Sequence, residues 1–172
     1  MNTRRGYTLV ELIVAVGLFA LVMLLTSGAY LVMIGLNRQA QGIATGIDNL
    51  SFALESMTRD IRTGTGYNCD NAGDCSGGGS FSFRNQAGEQ VTYDLSDSAL
   101  RKTVGATRSI LTDPSVTVSS LKFYASGTAR ASGGDTRQSR VTLIVSGTVA
   151  TGPGATRSFV VETGATMRGS DL

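Results

Sequence analysis

Residues 4–36 read RRGYTLVELIVAVGLFALVMLLTSGAYLVMIGL, and the fold turns on that stretch. From Leu12 to Leu36 no side chain is charged over 25 positions. As a helix those positions extend about 37 Å at ~1.5 Å per residue, more than the roughly 30 Å hydrocarbon core of a bilayer. Helices of water-soluble cores seldom run so far without one charge, so the stretch is expected to span a membrane. Arg4 and Arg5 precede it and are expected to stay on the cytoplasmic side, where flanking cations are retained. Glu11 interrupts the apolar run near its start. A carboxylate held deep in lipid costs on the order of a few kcal/mol. Two readings of Glu11 stand open on position alone: a helix-end carboxylate resting in the headgroup layer, or a functional charge that awaits a partner.

The rest of the composition narrows the function classes. The chain has 172 residues and a formal charge of +2, from 15 basic and 13 acidic side chains. Arg4 and Arg5 supply that whole excess, so no broad positive field draws the chain to nucleic acid. There is no His, which removes the commonest general base and the commonest metal ligand. Serine–histidine and cysteine–histidine catalysis are excluded within the chain, no other catalytic constellation is visible, and the chain is not expected to be an enzyme.

After Leu36 the pattern becomes amphipathic. Leu36, Ala40, Ile43, Ile47, Leu50, Leu54, Met57 and Ile61 recur at steps of four and three, which draws one stripe on a continuous helix. Gly64 and Gly66 are expected to end it. The sequence therefore predicts one helix of nearly sixty residues, with a membrane half over 7–36 and an amphipathic half over 37–64. Gly28, Gly35, Gly42 and Gly46 weaken it, each by up to ~1 kcal/mol relative to Ala. They mark either close helix packing or a region that stretches on assembly.

Residues 65–172 read as strands and turns. Phe81 and Phe83, then Val91, Tyr93 and Leu95, alternate with polar residues, and Gln86–Glu89 between them makes a hairpin turn. Further strands are expected over 99–104, 116–124, 140–149 and 156–163, the last two joined by ATGPGA. The polar segment from Ser126 to Ser139 reads as an exposed hairpin loop. The fold class is α+β: a long N-terminal helix whose stripe packs on one face of an antiparallel sheet.

Smaller features are weighed in the same terms. Cys69 and Cys75 form an exposed close pair in a polar, Gly-rich stretch, the pattern of a disulfide in an oxidising compartment. Two cysteines without His are too few to hold a metal. Asp70, Asn71 and Asp74 carry oxygens suited to calcium, but their spacing matches no EF-hand loop, and they are read as turn residues. Gly77-Gly78-Gly79 is expected to be a flexible joint. No cofactor and no small-molecule substrate are expected. Arg101, Lys102, Arg108, Arg130, Arg137 and Arg140 are scattered, and no nucleic-acid surface is expected from them.

The string Arg4-Arg5-Gly6-Tyr7-Thr8-Leu9-Val10-Glu11-Leu12 resembles the cleavage and methylation motif of type IV prepilins and type II secretion pseudopilins. The resemblance implies that a membrane-embedded prepilin peptidase cuts the Gly6–Tyr7 bond, removing residues 1–6 as a leader, and methylates the new amine of Tyr7. It also implies a partner for Glu11, the amine of a neighbouring subunit, and thus an assembly role. Tyr7 stands where the family usually has Phe. ALESMTRDIR at 53–62, FSFRNQAGEQVTYDLSDSALRKTV at 81–104 and the ending SFVVETGATMRGSDL resemble minor subunits, the J-type pseudopilins and W-type pilins. The implied protein is a minor pilin or pseudopilin, single-pass in the inner membrane, with its C-terminal domain periplasmic or extracytoplasmic. Its implied partners are the peptidase, other major and minor subunits and the inner-membrane assembly platform.

Two alternatives accompany that reading. An ordinary secretory signal with a cleavage site at Thr26-Ser27-Gly28-Ala29 would free a β-domain at Tyr30; Glu11 and the apolar YLVMIGL after that site count against it. A competence-type pilin contributing to DNA uptake is the other.

Overall fold

The computed structural model describes residues 6–129, 137–152 and 154–168. Arg4 and Arg5, Arg130 and the middle of the loop between Ser126 and Ser139, and Pro153 of the ATGPGA turn lie outside the described residues. Helix α1 runs from Leu9 to Thr63 over 55 residues. The chain divides into two compact units, residues up to Ala40 and residues from Gln41 onward.

In the first unit α1 carries a segment long and apolar enough, by length and composition, to cross a membrane. No described residue up to Ala40 is buried, and Leu24 is 76% exposed. A contiguous apolar surface of that size needs an apolar surrounding. The helix of a soluble core, the simpler alternative, is therefore set aside. The hydroxyls of Thr26 and Ser27 in this segment are satisfied within the helix. Thr26 Oγ1 donates to the carbonyl of Val22 at 3.0 Å and Ser27 Oγ to that of Met23 at 2.7 Å, which removes most of the cost of carrying them in hydrocarbon.

In the second unit the rest of α1 meets nine strands. Five form one antiparallel sheet in the order β1 (Thr65–Cys69), β3 (Phe81–Arg84), β4 (Gln90–Ser96), β5 (Ala99–Val104) and β6 (Thr107–Ile110). Four form another in the order β2 (Cys75–Gly78), β7 (Val116–Ser126), β8 (Arg140–Gly152) and β9 (Ala155–Thr166). The sequence predicted one sheet; the chain builds two. β1 and β2 escaped the period-2 pattern because TGYNC and CSGG are too short and too Gly-rich to show it. Gly77 and Gly78, read as a joint, belong to β2 and pair with β7 through Gly78 opposite Phe123.

Turn chemistry sets the register. Gly88 holds φ +82° in the β3–β4 hairpin, and Asn85 closes it by accepting the amide of Glu89 on Oδ1 at 2.9 Å. Asp97 and Ser98, both left-handed at φ 52° and 59°, join β4 to β5 as the paired positive-φ residues of a two-residue hairpin do. β7 and β8 pair to their ends, Ser126 opposite Arg140. Ser139, expected on an exposed loop, is buried and donates to the carbonyl of Gly127 at 2.6 Å.

The core lies where the helix meets the inner faces of both sheets. Leu50, Met57 and Ile61 of α1 are fully buried with Phe81, Tyr93, Phe123 and Leu143. Each such aliphatic side chain contributes about 1.5–3 kcal/mol through burial. Phe81 of one sheet stacks on Phe123 of the other, with centroids 5.4 Å apart. The predicted helical stripe needs correction at its N-terminal end. Leu36, Ala40 and Ile47 are exposed, and the buried face is Gly46, Leu50, Ala53, Leu54, Met57 and Ile61. Backbone proximity decides this. A Cβ on Gly46 would strike the Val149 side chain, and one on Gly42 would lie 3.2 Å from the Ala150 carbonyl oxygen. Of the two readings for the helix glycines, close packing therefore describes Gly42 and Gly46.

Polar groups fix the helix end and the sheet joints. Tyr67 Oη donates to the Ile61 carbonyl at 2.5 Å, satisfying one of the orphan acceptors of the last turn. Asp60 accepts from Tyr93 Oη at 2.6 Å and pairs with Lys102, tying α1 to β4 and β5. Burial, and then the Asp60 carboxylate, push the Tyr93 hydroxyl above its usual range, so it remains the donor. Cys69 and Cys75 are joined by a disulfide with Cα atoms 5.9 Å apart. The bond links β1, at one edge of the five-stranded sheet, to β2, at one edge of the four-stranded sheet. Cys69 is fully buried, contrary to the expected exposed pair, because β1 carries it inward beside Phe81, its partner in β3.

Asp70 and Asp74 act inside this disulfide loop. Asp70 accepts the amides of Gly79 and Ser80 and the Ser80 hydroxyl at 2.8–2.9 Å. Asp74 accepts the amide and hydroxyl of Thr128 at 2.9 and 2.7 Å, and the Gly127 amide at 3.3 Å. These donors hold both carboxyls below the ordinary carboxylate range. Their oxygens serve the chain's own backbone, the role expected of turn residues.

Two outcomes follow for the isolated protein in detergent. Cys69→Ser with Cys75→Ser should lower unfolding free energy by ~2 kcal/mol, the order set by closing so short a loop, measured by chemical denaturation with and without reductant. On acidification, the stabilisation from Asp70 and Asp74 is complete above the unfolded carboxyl value of about 3.9 and is lost as pH falls through the lower folded values. Asp70→Asn with Asp74→Asn should flatten that part of a pH–stability curve; an unchanged curve would show that these hydrogen bonds carry no linkage.

Candidate functional site

The residues marked out by the sequence gather just before and inside the first turn of α1. Gly6, Tyr7 and Thr8 precede the helix without regular structure, and all three are exposed, Tyr7 to 86%. The Gly6–Tyr7 bond therefore lies ahead of the helix, which begins at Leu9. A Cβ added to Gly6 would meet nothing within 4 Å. Nothing in the described chain requires glycine at position 6.

Thr8 begins the helix. Its Oγ1 accepts the amide of Glu11 at 3.3 Å, and its carbonyl accepts the amide of Leu12 at 3.2 Å. That is the N-cap arrangement, and the string Thr8-Leu9-Val10-Glu11 has the residue types of a capping box. The sequence reading missed Thr8, although a Thr three residues before a Glu at the head of an apolar run was the available signal. Glu11 occupies the first turn, where the helix dipole presents its positive end and favours a carboxylate. Among the described residues Glu11 has no ion-pair partner. The helix end thus lowers the cost of this charge without neutralising it, and leaves the carboxylate able to accept a cation from outside.

Further along the segment Gly17, Gly28 and Gly35 face open space, so their small size is also not demanded by this chain. The Cys69–Cys75 disulfide belongs to the folded unit and holds the joint between its sheets. Among the described residues no group of three or more His, Cys, Asp or Glu is placed to hold a metal ion.

Residues 1–27 match the family model described as the prokaryotic N-terminal methylation motif. The match includes the Gly6–Tyr7 bond, Thr8 and Glu11, and stops within the apolar half of α1. Comparison with curated proteins and with solved structures returned no match.

Because Gly6 touches nothing and the bonds at Thr8 and Glu11 are local, substitutions here should spare the folded unit. Gly6→Ala, Tyr7→Ala and Glu11→Ala should each leave the main thermal transition of the purified chain within about 0.5 kcal/mol of its original stability. Calorimetry in detergent checks this and separates later assembly defects from misfolding.

Proposed function

We propose that this chain is a pilin or pseudopilin, made as a prepilin, cut between Gly6 and Tyr7, methylated on Tyr7 and assembled through α1 into a filament anchored in the inner membrane. The observation that carries the reading is the unused glycine: position 6 lies exposed and unpacked within a matched methylation motif. A residue whose identity the fold does not need points to an external reader, and a peptidase that recognises the motif is such a reader.

The mechanism is association, with no catalytic step by this chain. Residues 1–6 form the leader, 7–36 the membrane half of the helix, 37–64 the half that carries the domain, and 65–172 the domain exposed beyond the membrane. Cleavage creates a cationic amine at Tyr7. Glu11, at the positive end of its own helix and without an ion-pair partner among the described residues, is then the acceptor for the amine of an adjacent subunit. In a water-poor helix bundle the two charges attract strongly and each relieves the other's burial. A subunit docked out of register would leave both unpaired, so the pair selects register more than it adds stability. Gly17, Gly28 and Gly35 would let neighbouring helices approach closely. The likeness of 53–62 and 81–104 to minor subunits supports a low-copy role beside a major subunit.

The ordinary-signal alternative is less well supported. Its cleavage site, Thr26 to Ala29, lies inside continuous helix, with Thr26 and Ser27 bonded back to the preceding turn. A signal cut needs an extended segment there.

Coexpression with a prepilin peptidase should give a membrane-bound chain whose intact mass begins at Tyr7 with one added methyl group. Gly6→Val should retain the leader, while Glu11→Ala should be cut normally and be lost from the sheared filament fraction. A soluble product beginning at Tyr30 would overturn the reading.

A further inference from the structure

Cys69 ends β1 and pairs with Phe81, the first residue of β3. Residues 70–80 between them form an excursion whose base the five-stranded sheet already closes. The excursion crosses to the other sheet and lends it β2, which stands at the end of the four-stranded order, beside β7. β2 brings little of its own to hold it there. Its residues are Cys75, Ser76, Gly77 and Gly78, and Ser76 is exposed. Four of residues 70–80 are glycine, the residue that loses most conformational freedom on being ordered.

Besides the short ladder to β7, two kinds of tie fix the excursion. The carboxylates of Asp70 and Asp74 bind Ser80 and Thr128 at the surface, where water competes for the same groups and the net gain per bond is small. The disulfide is the tie that water cannot replace. Its two sulfurs differ in access. Cys69 is fully buried, and Gly78 covers its Sγ so closely that a Cβ there would strike it. Cys75 is only half-buried. Thiol–disulfide exchange depends on which sulfur can be reached, so the bond opens from the Cys75 side.

We propose that the Cys69–Cys75 bond is a redox latch on β2: closed, it keeps β2 on β7, and opened by a dithiol it releases β2 and turns β7 into a sheet edge. One thiolate of the dithiol attacks Sγ of Cys75. The S–S bond breaks, and Sγ of Cys69 leaves with the electron pair and takes up a proton. The second thiolate then attacks the dithiol sulfur of the mixed disulfide, and Cys75 departs as a thiol. The dithiol ends as a disulfide and the chain has gained two electrons and two protons. Cys69 stays in the core beside Phe81, while β2 is free to leave with residues 70–80. β7 now has β8 on one side and unpaired backbone groups from Phe123 to Ala125 on the other, the kind of edge that accepts an extended strand. The latch lies within the folded unit and holds whether or not the chain enters a filament.

The test is amide hydrogen exchange read by mass spectrometry on the full-length chain in detergent, folded first and then treated with dithiothreitol. Alkylation and intact mass count the thiols released, and two are expected. Exchange in β2 and in the Phe123–Ala125 stretch of β7 should then quicken about tenfold or more, as local opening does when its covalent restraint is lost. β4, β5 and the β8–β9 pairing should keep their protection, and reoxidation should restore β2. Cys69→Ser with Cys75→Ser should show the same local pattern without reductant. A bond that resists dithiothreitol in the folded chain would overturn the latch. So would unchanged protection in β2 and β7 once both thiols are free. Loss of protection spread evenly over both sheets would also overturn it, since the bond would then be a staple for the whole unit.

Discussion

A helix with 25 consecutive uncharged positions must keep a wide apolar surface out of water, and most of what this protein does follows from that constraint. No described side chain up to Ala40 is buried by the chain itself, so the covering has to come from lipid or from other helices. Thr26, Ser27 and Glu11 bring polar groups into this stretch, and the hydroxyls and the carboxylate are handled differently. The hydroxyls of Thr26 and Ser27 are absorbed by the preceding turn. The carboxylate of Glu11 is placed where the helix dipole makes it tolerable and has no ion-pair partner among the described residues.

The folded unit solves the opposite problem. Its helix face is not a uniform apolar stripe: glycine at 42 and 46 lets β8 approach the helix backbone, and large side chains take over from Leu50 onward. Two sheets close on that face, and the strands at their joint, β1 and β2, are brief. The chain compensates with the Cys69–Cys75 bond, the Phe81–Phe123 stack and the hydrogen bonds from Asp70 and Asp74. The polar CDNAGDC loop, which read as a disulfide-closed turn, is where the two sheets are held together.

Legibility in the sequence followed the strength of local pattern. The helix end at Thr63 and the strands β3, β4, β5, β7, β8 and β9 were readable, because 3.6-residue and two-residue periods leave marks along them. β1, β2 and β6 were missed, since four or five residues with glycine or polar side chains carry no period. The division into two sheets was not readable either, as it depends on pairing between β2 and β7 across more than forty residues. Burial of Cys69 and Ser139 has the same non-local origin. At the N-terminal segment the residue types, and with them the Thr8 cap signal, were visible, but the lack of packing at Gly6 required coordinates.

These two kinds of residue call for different inferences. Where a sequence feature is consumed by the fold, as Gly46 is by Val149, its identity is explained and no partner need be invoked. Gly6, Gly17, Gly28, Gly35 and the Glu11 carboxylate are not consumed: the glycines meet open space and the charge has no ion-pair partner among the described residues. Glycine within a helix costs up to ~1 kcal/mol relative to Ala, and an unpaired carboxylate at the membrane costs more. A chain that bears those costs without internal return has its compensation outside itself, and the apolar helix that contains these residues is also the surface that must be covered. The association proposed for α1 would account for both, because it would hide the apolar surface, use the small residues and pair the charge in a single step.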